Sequence, residues 1–291
     1  MRKTICLLAA VLTLCTACEK GIPDADADVG DQESNVTLRF SPYVTESFAT
    51  TRGGEGSSKP IQEVCSRLSI AIFNANGSKV VYKTQEKDDE GFGTANLNLA
   101  EGTYEVVAIG HKGKGTATIT STEKVTFPSN KMTDTFYYYG TLVVTDEPQE
   151  HVIPMTRCVA MFRLNITDPT PEIIKNMKFY YTGGSSTFSP KAGFGCVKSK
   201  QTEILEVNSS GVYEVYTMPH ATTGTLKMTI SALDSEETLL YEKVFEDIPV
   251  KVNNITSYTG SFFDGSSGTI TANNFGITID PTWEGTNNYD F

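Results

Sequence analysis

Apolar and polar residues alternate along most of the chain after residue 35. In residues 67–73, the side chains of Leu68, Ile70 and Ile72 share one face, which is the period-two pattern of a half-buried β-strand. Asn76-Gly77 follows and predicts a hairpin turn. Further strands are predicted at residues 37–40, 80–82, 95–99, 104–109, 135–144, 178–181, 212–217, 226–233, 239–245 and 269–279. Short strands with Gly, Asn and Ser turns favour an all-β fold of antiparallel sandwiches.

The alternation is interrupted at residues 145–154. This segment contains two prolines and three acidic residues, so it is predicted to be too polar and too kinked for a core strand. After it, Cys158 and Phe162 fall on one face of a long amphipathic strand, and Arg157 and Arg163 fall on the other. We therefore predict two β-sandwich domains, each long enough to bury its own core. The predicted segments are a signal peptide at 1–17, a tether at 18–34, and domains at 35–147 and 148–291.

The N-terminus has the layout of a secretory signal peptide. Arg2 and Lys3 precede a short apolar run at residues 5–14, which is too short to span a bilayer well. The run ends in a small residue, Ala17, followed by Cys18. This string resembles a lipobox, in which the peptidase cuts before a cysteine that carries the lipid. The resemblance therefore predicts cleavage between Ala17 and Cys18 and lipidation on Cys18. Several acyl chains on that cysteine would anchor the protein stably in a membrane.

One position departs from the usual lipobox. Leu commonly stands three residues before the lipid-bearing cysteine, whereas Cys15 stands there in this chain. The alternative interpretation is an ordinary secretory signal followed by a cysteine that takes no lipid. We favour lipidation because no later cysteine has a better context, and because a tether follows at once.

The segment after Cys18 is acidic and poor in large apolar residues. Such a composition does not bury enough surface to order itself, so residues 19–33 are predicted to form a solvated tether. The segment resembles the acidic stretch that directs Bacteroidetes lipoproteins to the outer face of the outer membrane. A plain acidic linker is the alternative. The acidic residues of segment 19–33 include Asp24, Asp26, Asp28, Asp31 and Glu33.

Net charge restricts the choice of partners. The formal net charge is −11, and it becomes −13 when two cations, Arg2 and Lys3, leave with the signal peptide. An acidic chain repels nucleic acid and anionic lipid. Three cysteines remain besides Cys18, with no Cys-x-x-Cys spacing, which argues against zinc and redox sites. Cys158 and Cys196 can pair, although buried free thiols are the favoured interpretation.

Enzyme motifs do not assemble in the sequence. His111, His151 and His220 stand in unrelated segments and are interpreted as turn or surface residues. The glycine-rich stretch at residues 110–115 lacks the Lys-Ser/Thr pair and the following helix of a phosphate loop. We interpret it as a loop between strands. No catalytic residue, metal ligand or cofactor is therefore predicted.

Three consecutive tyrosines offer a different kind of site. Tyr137, Tyr138 and Tyr139 follow Phe136 and are compatible with a stacking platform for sugar. Strand alternation sends only half of these rings to one face, and aromatic residues are common in strands. Core and surface filling is the preferred interpretation, and a glycan-binding surface lipoprotein remains the alternative.

Several segments together resemble the fimbrillin-type pilins and pilus-anchor lipoproteins of Bacteroidetes, most closely the minor-fimbrium anchor branch. The similarity covers most of the mature chain in order, although each motif alone is weak. Besides the lipobox and tether, the segments are residues 66–73, 99–108, 157–164 and 279–283. The "Leu-x-x-Gly-x-Tyr-x-Val" piece within the second is common in transthyretin-like sandwiches.

This resemblance implies two transthyretin-like β-sandwich domains in tandem and no catalysis. It implies an outer-membrane, lipid-anchored fimbrial anchor or accessory subunit that supports adhesion and joins other subunits by strand donation, which is a form of β-augmentation. Within the family, the alternative is a polymerising stalk or tip pilin activated by a cut after Arg52, in the Ser-, Thr- and Gly-rich loop at residues 45–60. A surface hydrolase is a third class of protein, but the sequence shows no convergent polar site that would support it.

Overall fold

A computed structural model describes residues 34–45, 56–264, 269–271 and 285–290, with side chains described for 34–42 and 59–264. The regular secondary structure of the described residues is almost entirely β, which confirms the predicted all-β sandwich-type fold. One short α-helix, α1, covers Ile61–Val64, and a 3₁₀ turn covers Pro128–Asn130. The strands of the first half are β1 Val36–Thr45, β2 Gly56–Ser58, β3 Arg67–Asn74, β4 Lys79–Glu86, β5 Thr94–Leu97, β6 Gly102–His111, β7 Thr118–Ser121, β8 Lys124–Thr126, β9 Thr135–Val144 and β10 Gln149–Arg157.

The remaining strands come from the second half of the chain. The predicted long strand at residues 157–166 is divided, because Cys158 and Val159 separate β10 from the next strand. The strands are β11 Ala160–Ile166, β12 Asn176–Thr182, β13 Thr187–Ser189, β14 Phe194–Gly195, β15 Gln201–Glu206, β16 Val212–Thr217, β17 Thr223–Leu233, β18 Leu239–Lys251, β19 Asn254–Gly260, β20 Thr269–Thr271 and β21 Gly285–Asp290.

The first sandwich has two layers that share one strand. One layer contains β5, β1 and the first part of β10, and the other contains β9, β6, β3 and β4. β10 pairs with β1 through Met155 and with β9 at Thr156 and Arg157, so this strand passes from one layer to the other. Apolar residues of both layers, including Leu38 and Ile70, form the core between them.

The break predicted at residues 145–154 is wrong, because a strand begins at Gln149. Ile153 and Met155 are buried in the first core, and Pro154 lies exposed between them. Proline is tolerated here because an exposed edge position does not need its N–H. β10 therefore pairs with strands of the first half, while the domain boundary at 147/148 stays a prediction.

The second half repeats the two-layer arrangement. One layer has the order β16-β11-β19-β21 and the other has the order β15-β12-β17-β18-β20. Aromatic residues fill the space between them, with Phe162 in contact with Phe245 and Tyr258 at ring-centroid distances of 6.1 and 5.6 Å. Burial of such large rings contributes much of a core's stability.

A third apolar cluster joins the two halves. Ala71 and Val107, from the outer face of the β3–β6 pair, pack with Met161, Phe188 and Met218 of the second half. A small sheet of order β14-β13-β8-β7 also contains strands from both halves. The β3–β6 pair is consequently covered on both faces, which explains why six consecutive residues of β3 are buried rather than every second one.

Candidate strand-complementation site

The first strand, β1, lies inside its layer rather than at an edge. It pairs in parallel with β10 from Val36↔Gln149 to Pro42↔Met155. On its other side it pairs antiparallel with β5 and β2. Both of its neighbours in the layer of the first core, β10 and β5, come from distant parts of the sequence. Removing β1 would therefore expose two sets of unpaired backbone groups at once.

Alternate side chains of β1 fill the first core. Val36, Leu38 and Phe40 are each no more than 5% exposed. Between them, Thr37 donates a hydrogen bond to Asn96 Oδ1 at 3.1 Å, and Arg39 forms an ion pair with Glu150. The buried and exposed series keep the two-residue period of the sequence, so a one-residue slip would place polar side chains in the core.

Asn35 holds the start of β1 in register. Its side-chain amide donates to Leu99 O at 2.7 Å and accepts from Leu99 N–H at 3.0 Å, and its backbone carbonyl accepts from Gln149 N–H. At the other end of the segment, Phe40 N–H donates to Gly93 O. These bonds bracket the buried part of β1, so the strand has a defined register on both sides.

A buried ion pair lies where the two halves meet. The Arg157 guanidinium donates to both carboxylate oxygens of Asp134, at 2.7 and 3.0 Å, and to Asn253 Oδ1 at 2.9 Å. It also lies over the Phe136 ring, 4.8 Å from the centroid. The sequence prediction placed Arg157 on the exposed face of a strand. That placement is wrong, because β10 ends at Arg157 and the side chain turns inward to Asp134.

His111 is buried, contrary to the prediction of a turn or surface residue. Its Nδ1 accepts a hydrogen bond from Gly113 N–H at 3.0 Å, and its ring meets Phe127 edge-on. A side chain at Gly113 would crowd the ring, because a Cβ there would lie 2.9 Å from Nδ1. Burial is the main cause, and the positive charge of the nearby Arg67 the second, that together lower the pKa of His111 to about 4.

Acidification is expected to destabilise the protein through His111. The pKa of this histidine is about 4 in the folded protein and about 6.5 in the unfolded chain. Between these values the unfolded chain binds a proton that the folded protein does not, so stability falls as pH drops from 6.5 to 4. The loss reaches about 3 kcal/mol at pH 4. Urea unfolding at pH 7 and pH 4 measures it.

The variant His111→Asn isolates this contribution. Its side-chain oxygen can still accept from Gly113 N–H, but it does not titrate, so we expect a smaller loss of stability between pH 7 and pH 4. His151→Asn, also in the first half, is the matched control. Equal pH dependence for wild type and His111→Asn would contradict the assignment.

The other histidines do not join His111. His151 lies on β10 and His220 places Nδ1 2.9 Å from Gly195 O, after β16. The part of the chain with described structure contains no group of three His, Cys, Asp or Glu side chains positioned to hold a metal ion. Of the stretch at residues 110–115 that was predicted as a loop, residues 112–115 lie in the loop between β6 and β7, whereas Gly110 and His111 are the last two residues of β6, so the prediction is wrong for these two.

The three tyrosines of β9 point to two different cores. Tyr138 packs against the first core, and Tyr137 and Tyr139 pack against the cluster between the halves. Tyr137 meets Phe188 edge-on with ring centroids 4.8 Å apart. The rings therefore fill space, which was the preferred interpretation of the sequence, and do not form one exposed platform for sugar.

The cysteines with described side chains are free thiols. Cys65 and Cys158 are buried and Cys196 is exposed. Burial is the main cause that raises the pKa of Cys65 and of Cys158, which makes both thiols poor nucleophiles. The pairing of Cys158 with Cys196 that the sequence left open is not formed.

The predicted processing sites lie outside the described residues. Ala17, Cys18 and the acidic tether precede residue 34, and Arg52 falls between β1 and β2. Lipidation, signal cleavage and the cut after Arg52 therefore stay predictions. Among the described residues, no helix has the length and apolar character needed to cross a membrane.

The layered sheets define the class of this protein as an all-β sandwich whose first strand lies between two distant segments, parallel to β10 and antiparallel to β5. The model of the fimbrillin-A associated anchor proteins Mfa1 and Mfa2 matches residues 26–289. The chain belongs to this family of fimbrial anchor proteins, which confirms the resemblance drawn from the sequence and indicates a fimbrial accessory role at the cell surface.

Solved structures include similar folds at low sequence identity. The fimbrial anchor protein Mfa2 from Porphyromonas gingivalis is 11% identical, with a TM-score of 0.38 over 71% of this chain and 80% of that one. A fimbrial assembly protein from Parabacteroides distasonis is 10% identical, with a TM-score of 0.41 over 79% and 92%. No curated protein sequence matches this chain.

Proposed function

We propose that this protein is an outer-membrane surface lipoprotein that anchors a fimbrium or serves as its accessory subunit. In this proposal the lipid on Cys18 holds the protein at the membrane, and the acidic tether directs it to the outer face. Other fimbrial subunits join it by β-strand complementation. The protein supports adhesion and has no catalytic activity of its own. Membership of the fimbrial anchor family supports the proposal.

The observation that carries the proposal is the position of β1. This strand is buried in the first sandwich, and its two partners in the layer of the first core, β10 and β5, come from distant parts of the chain. Such a strand can be exchanged for another extended segment with the same alternation, because it contributes backbone pairing and three apolar side chains that fill the first core. Its place therefore suits a fold that assembles by complementation.

The anchor role and the stalk or tip role differ in whether β1 remains attached to the rest of the chain. A cut after Arg52 would separate β1 and the lipid from the sandwiches, leaving β10 and β5 without their shared neighbour. The exposed core and unpaired backbone would then demand a strand from another subunit. An intact chain keeps β1 covalently joined to both the lipid and the sandwiches, which is the arrangement that an anchor requires.

The N-terminus of the protein taken from the cell surface decides the matter. We expect mass spectrometry to identify an N-terminal peptide that begins at lipid-modified Cys18. A start at Gly53 would overturn the anchor assignment and indicate a polymerising stalk or tip subunit. The variant Arg52→Ala is the control, because it removes the cleavage residue and should retain the Cys18 start in either case.

A further inference from the structure

One edge of the second sandwich is a β-strand with one described partner. Among the strands that the structure describes, β15 pairs with β12 alone, from Gln201↔Tyr181 to Glu206↔Asn176. Its exposed side chains are Thr202, Ile204 and Glu206, and Ile204 is 47% exposed despite being apolar. An edge strand with an exposed apolar residue is a template for pairing with another strand.

The register shows which backbone groups of β15 face outward. Val207 N–H donates to Lys175 O, so the odd-numbered residues of this strand pair towards β12. In an antiparallel ladder the alternate residues point the other way. The N–H and C=O groups of Thr202, Ile204 and Glu206 are therefore directed away from the sheet, and these residues also carry the exposed side chains.

Other long edges in the part of the structure with described side chains are protected. β10 carries an exposed Pro154, and β4 carries Lys79 and Lys83 and has a bulge in its pairing with β3. Backbone carbonyls of β16 accept hydrogen bonds from the Tyr181 hydroxyl and the Asn208 amide. Lysine, proline, bulges and covering groups all discourage edge pairing. β15 has no proline, no lysine and no bulge in its register.

We propose that the β15 edge binds the β15 edge of a second copy of this protein, in an antiparallel pair centred on Ile204. This register places Ile204 opposite Ile204 of the partner subunit, so the two exposed apolar side chains pack against each other and expose less apolar surface to water. Thr202 then lies opposite Glu206 of the partner subunit. The five-stranded sheets of two copies become one continuous sheet.

Charge along the edge favours an antiparallel copy as the occupant. Lys200 precedes the strand and Glu206 ends it, and both are exposed. Reversing the second strand brings Lys200 diagonally next to Glu206 of the partner subunit, within reach of its long side chain. Glu203 does not face the partner, because it forms an ion pair with Lys131 at 2.9 Å on the opposite face. A parallel copy would align like charges.

Disulfide trapping tests the register. In a Cys18→Ser/Cys196→Ser background, which removes the tether cysteine and the exposed thiol of the described residues, Ile204→Cys is expected to form a dimer on oxidation, because facing residues lie about 5.5 Å apart. Thr202→Cys alone is the matched control, since the two introduced thiols would lie about 13 Å apart along the strands. A mixture of Thr202→Cys and Glu206→Cys proteins should again form a dimer.

Cross-linking that is equal for Ile204→Cys and Thr202→Cys would overturn the proposal. So would a mixture of Thr202→Cys and Glu206→Cys that forms no mixed dimer.

Sedimentation of the unmodified mature chain tests the dimer itself. We expect association that increases with concentration, and loss of that association in Ile204→Lys, whose far-ultraviolet circular dichroism should match the wild type. Ile173→Lys, which changes another exposed apolar residue, should still associate. Monomers at all concentrations up to about 1 mM, or equal association of Ile204→Lys and wild type, would overturn the proposal. These outcomes do not depend on the anchor role.

Discussion

Replacing Asp134 with Ala is expected to lower the free energy of unfolding by about 3–5 kcal/mol. The Arg157 and Asp134 side chains are 5% and 11% exposed. Removing the carboxylate leaves a guanidinium that has lost two of its hydrogen-bond acceptors in a site with little water. The Asn253 amide oxygen remains, but it does not neutralise the charge. Urea unfolding at pH 7 measures the effect.

Two further variants separate this cost from a general effect of charge removal. Glu150→Ala breaks the exposed pair with Arg39, whose side chains are 55% and 56% exposed, and should cost no more than about 1 kcal/mol. The double variant Asp134→Leu/Arg157→Met removes both buried charges and should be more stable than Asp134→Ala. If Asp134→Ala costs no more than Glu150→Ala, the buried pair does not have the role assigned to it.

Replacing Cys18 with Ala is expected to abolish membrane attachment. Without the thiol no lipid is transferred, and the described structure has no helix of the length and hydropathy needed to cross a bilayer. Several acyl chains on one residue contribute many buried methylene groups, each worth about 0.8 kcal/mol. The change in partitioning should therefore be nearly complete. Detergent phase separation and incorporation of labelled palmitate measure it.

Protease treatment of intact cells is the companion measurement. Wild-type protein should be digested from outside, whereas secreted Cys18→Ala protein should not be retained on cells. Cys196→Ser is the matched control, because it removes an exposed cysteine without affecting the lipobox. A Cys18→Ala protein that still partitions with membrane and still takes label would contradict the lipid anchor.

Local alternation was enough to predict most long strands. The pattern in residues 135–144 coincides with β9, and the Leu68, Ile70 and Ile72 series lies in β3. β10 was missed because two prolines and three acidic residues hide the alternation of Ile153 and Met155. β15 was missed because its sequence, Gln-Thr-Glu-Ile-Leu-Glu, has too few apolar residues to stand out, as is common for edge strands.

In the candidate site, too, the sequence predicts local structure, whereas the partners of each residue depend on the tertiary fold. The alternation in residues 36–40 predicts a strand, but its parallel pairing with β10 depends on the two segments meeting across more than 100 residues. Arg157 gave no local signal of burial, because its partners, Asp134 and Asn253, lie 23 and 96 residues away. His111 reads as a loop residue until Phe127 and Gly113 are placed around it.

The amino-acid sequence alone determined the all-β class, the export and lipidation hypothesis and the resemblance to fimbrial anchors. Each of these depends on neighbouring residues, whose alternation or spacing is visible within a short window. Only the tertiary structure decided which strands are interior and which are edges, and which charges are buried. Those properties arise when distant segments exclude water between them, so β1 is enclosed and β15 is at an edge although both are strands of mixed polarity.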